Sequence, residues 1–189
     1  MEYLDSIKSQ SMKEKVLSGE IHINTKDDFK LPKTQYIPLI TKNKSALYRL
    51  KVWLVDNHFE TIIEDYYFYM DWLPGKPIIK IPRGFVFNGA SIHKSLRFLF
   101  SPKGILYAAS LFHDFGYEYN TYLTIDNELY FRLTNRDRYD KVFRTFNEQV
   151  YGFGLIAYIT WIAVRIGGYT GWLSYREADA DYHKFFVIK

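Results

Sequence analysis

The segment of the 189-residue chain best suited to chemistry is His113-Asp114-Phe115-Gly116-Tyr117. It continues an apolar run, so we expect it on a helix, where His113 and Tyr117 lie four residues apart on one face. Asp114 projects about 100° around the helix from His113. An imidazole with a pKa near neutrality suits a general base, and a carboxylate is a hard-oxygen ligand for Ca²⁺ or Mg²⁺. His113 and Asp114 could therefore supply proton transfer and metal binding, respectively.

A second helix is predicted at residues 137–152 from apolar residues three and four apart. Arg136 and Asp140 can pair along it. If it packs antiparallel to the first helix, we expect Asp140 within hydrogen-bond reach of His113 or Tyr117. That carboxylate would fix the tautomer of the imidazole and leave its other nitrogen free to accept a proton. The same side chains can also satisfy one another as a structural network, and the residues alone leave both interpretations open.

The pattern along the chain predicts an α+β fold, with a small antiparallel sheet followed by a helical core of about three helices. Alternating and β-branched residues predict strands between residues 46 and 81, and helical periodicity begins near residue 103. A third, nearly uncharged helix is predicted at residues 153–166 and ended by Gly167-Gly168 as a C-cap. We expect it to be buried, with Trp161 in the core and Arg165 paired or near the surface. It is too short to span a bilayer, which leaves peripheral membrane contact open.

Residues 1–35 are polar and lysine-rich, and we expect an N-terminal arm or peripheral layer on a single globular domain formed by residues 36–189. The chain has no cysteine, which excludes disulfides and thiolate metal sites. Its net charge of +4 is spread without a run of Lys or Arg, so nucleic acid is not an expected partner. No basic segment followed by an apolar run begins the chain, so secretion by a signal peptide is not expected.

Five motifs occur in order: Ile81-Pro82-Arg83-Gly84-Phe85, Gly89-Ala90-Ser91, His113-Asp114-x-x-Tyr117, Arg136-x-x-x-Asp140 and Val164-Arg165-Ile166-Gly167. This set resembles a phage- and prophage-associated family, domain-of-unknown-function family 1353, over about residues 46–175. The resemblance implies a phage origin, a place in the virion or the infected host cytoplasm, and protein partners there. It implies no established activity.

The loop around the second motif departs from the family pattern. Asn88 stands where the family has Asp, so an oxygen is kept but the charge is lost. The candidate binding residues nevertheless include four from this segment, Asn88, Gly89, Ser91 and His93. The fifth candidate is Arg136, on the second helix. His93 follows the Gly-Ala-Ser turn and is a further candidate to line the same cleft.

Two local segments resemble the paired catalytic helices of bacterial and fungal secreted phospholipases A2. They are His113-Asp114-Phe115-Gly116-Tyr117 with Asn120, and Asn135-Arg136-x-Arg138-Tyr139-Asp140-x-x-Phe143. The resemblance implies that His113 is the general base for water, Asp114 a ligand of an oxyanion-stabilising Ca²⁺, and Asp140, buttressed by Tyr117, the residue that orients His113. The disulfides of those enzymes, and a glycine-rich calcium loop like theirs, are not found in this sequence.

Two functions follow from the sequence. The first is a phage-encoded hydrolase of lipid or another ester, with a His-Asp centre and possible Ca²⁺ dependence. The second is a non-enzymatic virion or host-interaction protein in which the polar centre only joins two helices. An aromatic content of 19% fits either function, since rings fill cores and also make protein contacts.

Overall fold

The computed structural model describes residues 2–38, 44–47, 59–87, 106–132, 134–152 and 154–178. Within these ranges the chain forms an α+β fold, as predicted. The strands are β1 (Ile23–Asn24), β2 (Thr34–Ile37), β3 (Phe59–Ile62), β4 (Tyr66–Tyr69), β5 (Ile78–Ile81), β6 (Val86–Phe87), β7 (Tyr122–Thr124) and β8 (Leu129–Tyr130). The helices are α1 (Gln10–Leu17), α2 (Tyr107–Tyr119), α3 (Arg136–Tyr151) and α4 (Gly154–Ala178), with a 3-10 helix at Glu2–Ser6.

The strands form two sheets, one in the order β1-β4-β5-β7-β8 and one in the order β2-β3-β6. All pairs are antiparallel, as predicted, except β1 and β4, which are parallel. The hairpin of β7 and β8 follows α2, so the larger sheet is completed only after the first core helix. The strand predicted around residues 47–55 lies largely outside the described residues.

The N-terminal residues pack on the five-stranded sheet. Ile7, Val16 and Ile23 are buried against Tyr67 and Tyr69, and β1 extends the sheet by pairing with β4. Burial of these apolar side chains stabilises the contact. The N-terminal residues therefore lie on the sheet as a peripheral layer.

The core is an aromatic layer between the larger sheet and the helix pair of α2 and α3. Phe68 of β4 lies 5.9 Å from Phe112 and 4.7 Å from Phe146, measured between ring centroids. Along α2, Phe112 contacts Phe146, and one residue later His113 contacts Phe143. As the residue number increases along α2, the number of the contacting residue on α3 decreases. The two helices are therefore antiparallel, as predicted.

Helix α4 differs from its prediction in both length and burial. It runs from Gly154 to Ala178 through the two glycines expected to end it. Only Ala157 and Thr160 are buried, while Trp161, predicted in the core, is half-buried and Ile159 is 46% exposed. Gly168 lies inside the helix and packs against the ring of Tyr117. Among the described helices, none combines the length and the apolar character that crossing a bilayer requires.

The close crossing of α2 and α3 depends on Gly116. A Cβ atom placed there would lie 2.2 Å from Cδ1 of the buried ring of Tyr139. Gly116→Ala should therefore destabilise the protein by about 1–3 kcal/mol through overpacking, partly offset by about 1 kcal/mol of helix propensity. A thermal melt should show a fall of a few degrees.

Gly167 provides the matched control, because a Cβ atom there meets nothing within 4 Å. Gly167→Ala should stabilise the exposed helix by about 0.5–1 kcal/mol. Equal effects of the two substitutions would contradict the close crossing.

Candidate functional site

The buried side chain of His113 connects α2 to α3. Its Nε2 atom lies 3.1 Å from Oδ1 of Asp140, and the residue is 7% exposed. Asp140 lies near the start of α3 and is fully buried. The expectation that Asp140 reaches His113 or Tyr117 is confirmed for both residues, because Tyr117 donates its hydroxyl hydrogen to the same Oδ1 atom at 2.5 Å.

Two arginines surround the other oxygen of Asp140. Arg165 donates from Nη1 to Oδ2 at 3.0 Å and also pairs with Asp137. Nε of Arg136 is 3.8 Å from the same oxygen. Burial alone would raise the pKa of Asp140, but hydrogen bonds from His113 and Tyr117, and then from Arg165, lower it below its ordinary value. Asp140 is therefore a buried carboxylate that stays ionised at neutral pH.

The second nitrogen of His113 faces Asp114. Nδ1 lies 3.5 Å from Oδ1 of Asp114, whose side chain is 21% exposed. Burial lowers the pKa of His113, but the hydrogen bonds with Asp114 and Asp140 outweigh it, so the pKa is raised above its ordinary value. Burial raises the pKa of Asp114, and its contact with His113 offsets part of this rise. Both shifts favour a proton held between Nδ1 and the Asp114 carboxyl group.

The raised pKa of His113 predicts a pH-dependent contribution to stability. The contribution is complete below the ordinary value of 6.5 and is lost as pH rises through the pKa of the folded protein. We expect the difference in unfolding free energy between wild type and His113→Gln to shrink between about pH 5.5 and about pH 9. Urea denaturation of both proteins at each of these two pH values measures the difference in unfolding free energy. A difference that stays constant or grows would contradict the assigned contacts.

Helix α4 supports the site from the side of Tyr117. A Cβ atom at Gly168 would lie 2.8 Å from the Tyr117 hydroxyl oxygen, so glycine permits this close approach. The ring of Trp172 packs on Tyr117 with 5.3 Å between centroids. Arg165 is paired, as predicted, but the sequence pattern did not identify Asp140 as its partner. The Val164-Arg165-Ile166-Gly167 motif was the signal that could have assigned it.

The candidate binding residues have mixed outcomes. Arg136 lies at the site, with its guanidinium 5.3 Å from the ring centroid of Tyr169. Its Nη1 atom is buried and has no hydrogen-bond partner among the described residues. The other four candidates lie outside the described residues: Asn88, Gly89, Ser91 and His93.

The calcium expectation depends on Asp114, the carboxylate beside His113. Ca²⁺ takes six to eight oxygen ligands. Within the described ranges, no three His, Asp or Glu side chains come together in a way that could hold a metal ion. The described residues therefore do not by themselves form a calcium cage, and calcium binding stays a prediction.

Comparison with known proteins identifies a family but no relative with an assigned activity. Residues 62–164, more than half of the chain, match the model of a family described as a protein of unknown function, DUF1353. No curated protein and no solved structure matches. The matched range contains His113, Asp114, Tyr117 and Asp140, and it is shorter than the range of about 46–175 over which the motifs were compared.

Proposed function

Since the chain belongs to the DUF1353 family of proteins of unknown function, we propose its activity from the chemistry of the His113 site. The proposed activity is hydrolysis of a lipid or another ester, with His113 as the general base that activates water. The observation that carries the proposal is the 3.1 Å contact between His113 Nε2 and the buried carboxylate of Asp140. It fixes the ring and makes Nδ1 the atom that would accept the proton above the folded-state pKa of His113, where no proton is shared between Nδ1 and Asp114.

Asp140 is suited to support a general base. It is ionised and fully buried, so its charge stabilises the imidazolium that forms when His113 takes a proton. Tyr117 and Arg165 hold both of its oxygens, which fixes the direction of the hydrogen bond to His113. Such positioning is what general-base catalysis requires.

Asp114 is the proposed calcium ligand. Its side chain is the more exposed of the two carboxylates that contact His113. Bound calcium would polarise the carbonyl of an ester and stabilise the oxyanion that develops. Oxygen ligands from Asn88, Gly89 and Ser91 are part of this proposal. Asp114→Asn is expected to weaken calcium binding, measured by titration calorimetry, because the ligand loses its charge.

The alternative function is a non-enzymatic protein in which the polar centre only joins α2, α3 and α4. It is favoured by the low exposure of His113 and by the carboxylates that contact both of its ring nitrogens. A satisfied network of this kind specifies helix packing without any catalytic role. In this case we propose a protein of the phage particle or of a host-interaction complex.

The place of action is also a proposal. A phage virion or the cytoplasm of an infected host, with protein partners in either, is supported by the motif resemblance to phage-associated proteins. Peripheral contact with a membrane is supported by the lipid-hydrolase hypothesis, because the substrate would be part of a bilayer.

The test is a hydrolysis assay on the full chain, with chromogenic short-chain esters and with phospholipid vesicles. Each substrate is offered with Ca²⁺ and with a chelator. We expect turnover that is greater with Ca²⁺. Absence of turnover on both substrate classes in the presence of Ca²⁺, together with destabilised variants of His113, would favour the structural alternative.

A further inference from the structure

We propose that a cleft between the N-terminal layer and the larger sheet binds a small soluble molecule that carries a phosphate monoester group. The cleft has a volume of about 690 Å³, which is typical of small-molecule sites. Its walls are the end of α1 with the turn that follows, the connection between β1 and β2, the turn between β3 and β4, and Arg83 after β5. The lining residues include none of those that contact His113 or Asp140, so the proposal does not depend on the proposed hydrolase activity.

The cleft carries positive charge that the described residues do not neutralise. Each of the three carboxylates that line it already has a lysine partner. The pairs are Lys15 with Glu20, Lys33 with Glu64, and Lys80 with Asp65. Lys30 and Arg83 line the same cleft, and within the described ranges neither charged group has an ion pair or a hydrogen bond. Two cations, joined by the ring of His22, are therefore left for a ligand that is rich in acceptors and negatively charged.

The backbone that carries Lys30 and Arg83 is held in place. Asn24, a buried residue of β1, accepts a hydrogen bond from the amide of Lys30 at 2.8 Å, and Tyr66 donates its hydroxyl hydrogen to the carbonyl of Lys30 at 2.9 Å. The amide of Arg83 donates to Oδ1 of Asp65 at 2.8 Å. The two cationic side chains therefore start from fixed points on two different walls. Such preorganisation lowers the entropy lost when a ligand binds.

The spare groups match a phosphate monoester in charge and in geometry. A monoester carries a charge of about −1.5 to −2 near neutral pH, which two cations neutralise. The planar guanidinium of Arg83 suits two phosphate oxygens at once, and the ammonium of Lys30 supplies a compact charge. The cleft is much larger than a phosphate ion, and Leu31 and Ile63, both exposed, add apolar surface to its lining. These side chains can contact the organic part of the ligand.

The cleft combines residues from inside and outside the family match. The match begins at residue 62, so the walls from α1, β1 and the connection to β2 lie outside it, whereas Arg83 and the turn between β3 and β4 lie inside. The proposed binding site therefore requires the N-terminal layer of this chain.

The first experiment is a nuclear magnetic resonance titration of the full chain with adenosine 5′-monophosphate, with inorganic phosphate, and with adenosine, which lacks the phosphate. We expect both phosphate probes to bind saturably and to shift the amide resonances of Lys30 and Arg83, and we expect adenosine to leave them unchanged. Absence of saturable shifts with both phosphate probes would overturn the proposal. Equal binding of adenosine and its monophosphate would overturn recognition of the phosphate.

The second experiment compares two double variants that remove the same charge. Lys30→Gln/Arg83→Gln should raise the Kd for adenosine 5′-monophosphate at least about tenfold, because two charge-assisted contacts are lost. Its melting temperature should match that of the wild type, since neither charged group has a partner within the described ranges. Arg132→Gln/Lys141→Gln is the matched control, because both residues are exposed outside the cleft, and it should bind as the wild type does.

Equal weakening in the two double variants would show unspecific attraction to a basic protein and would overturn the site. Vesicles that contain phosphatidic acid, whose headgroup is also a phosphate monoester, distinguish a lipid from a soluble ligand. Binding to these vesicles without binding of adenosine 5′-monophosphate would overturn the assignment to a soluble molecule.

Discussion

His113→Gln is expected to lower ester or phospholipid hydrolysis by a factor of about 10² to 10⁴, the usual contribution of a positioned general base. The fold should remain nearly intact, because the amide can keep one of the two hydrogen-bonding contacts of the ring. The assay is best run above the folded-state pKa of His113, which is raised over its ordinary value, because the imidazole is neutral there and its contribution to stability is smallest.

His22→Gln is the matched control for this substitution. His22 is exposed on the N-terminal layer, away from α2, so its loss should change neither turnover nor the melting temperature. If His113 is purely structural, His113→Gln should instead lower the melting temperature by several degrees, at roughly 2–4 °C per kcal/mol for a chain of this size. Unchanged turnover in His113→Gln would exclude the general-base role.

The polar centre could be predicted from sequence because its spacing is local. His113 and Tyr117 share a helix face at a separation of four residues, and Arg136 and Asp140 do the same on the next helix. A short antiparallel helix pair then leaves few ways to arrange these side chains. The contact of Arg165 with Asp140 was not predictable in this way, since it joins residues 25 positions apart on a helix whose orientation the local pattern does not fix.

The length and burial of α4 show where local sequence patterns fail to predict the structure. A glycine pair after an apolar run is typical of a helix end, yet Gly168 lies within the helix. A Cβ atom there would come too close to the hydroxyl of the core residue Tyr117, which explains the glycine at this position. The apolar run was interpreted as a buried core helix, although only one of its faces meets the core. Hydropathy reports that a face is apolar, but it does not report whether the rest of the chain packs on that face.

The parallel pairing of β1 with β4 has a similar cause. Ile23 pairs with Tyr67 across 44 positions, and two-residue strands carry almost no alternation from which a partner could be inferred. The antiparallel pairing of β4 and β5 was predictable from the sequence, because a Pro-Gly turn joins two runs of β-branched and aromatic residues.

Asp140→Ala is expected to cause the largest loss of stability, about 3–5 kcal/mol, because it removes one partner from a buried network of charges. The hydroxyl of Tyr117, Nε2 of His113 and the guanidinium of Arg165 would all lose their shared acceptor. The melting temperature should fall by about 6–20 °C, on the scale of roughly 2–4 °C per kcal/mol.

Asp137→Ala separates this network effect from the loss of a surface ion pair. Asp137 lies on the same helix and pairs with the same Arg165, but its side chain is 52% exposed, so its removal should cost no more than about 1 kcal/mol. The pKa of Asp140 is lowered in the folded protein, so its stabilising effect is present above 3.8 and is lost as pH falls through the folded-state pKa. The stability difference between wild type and Asp140→Ala should therefore narrow in acid. A loss in Asp140→Ala as small as that in Asp137→Ala would show that the buried carboxylate does not hold the three helices together.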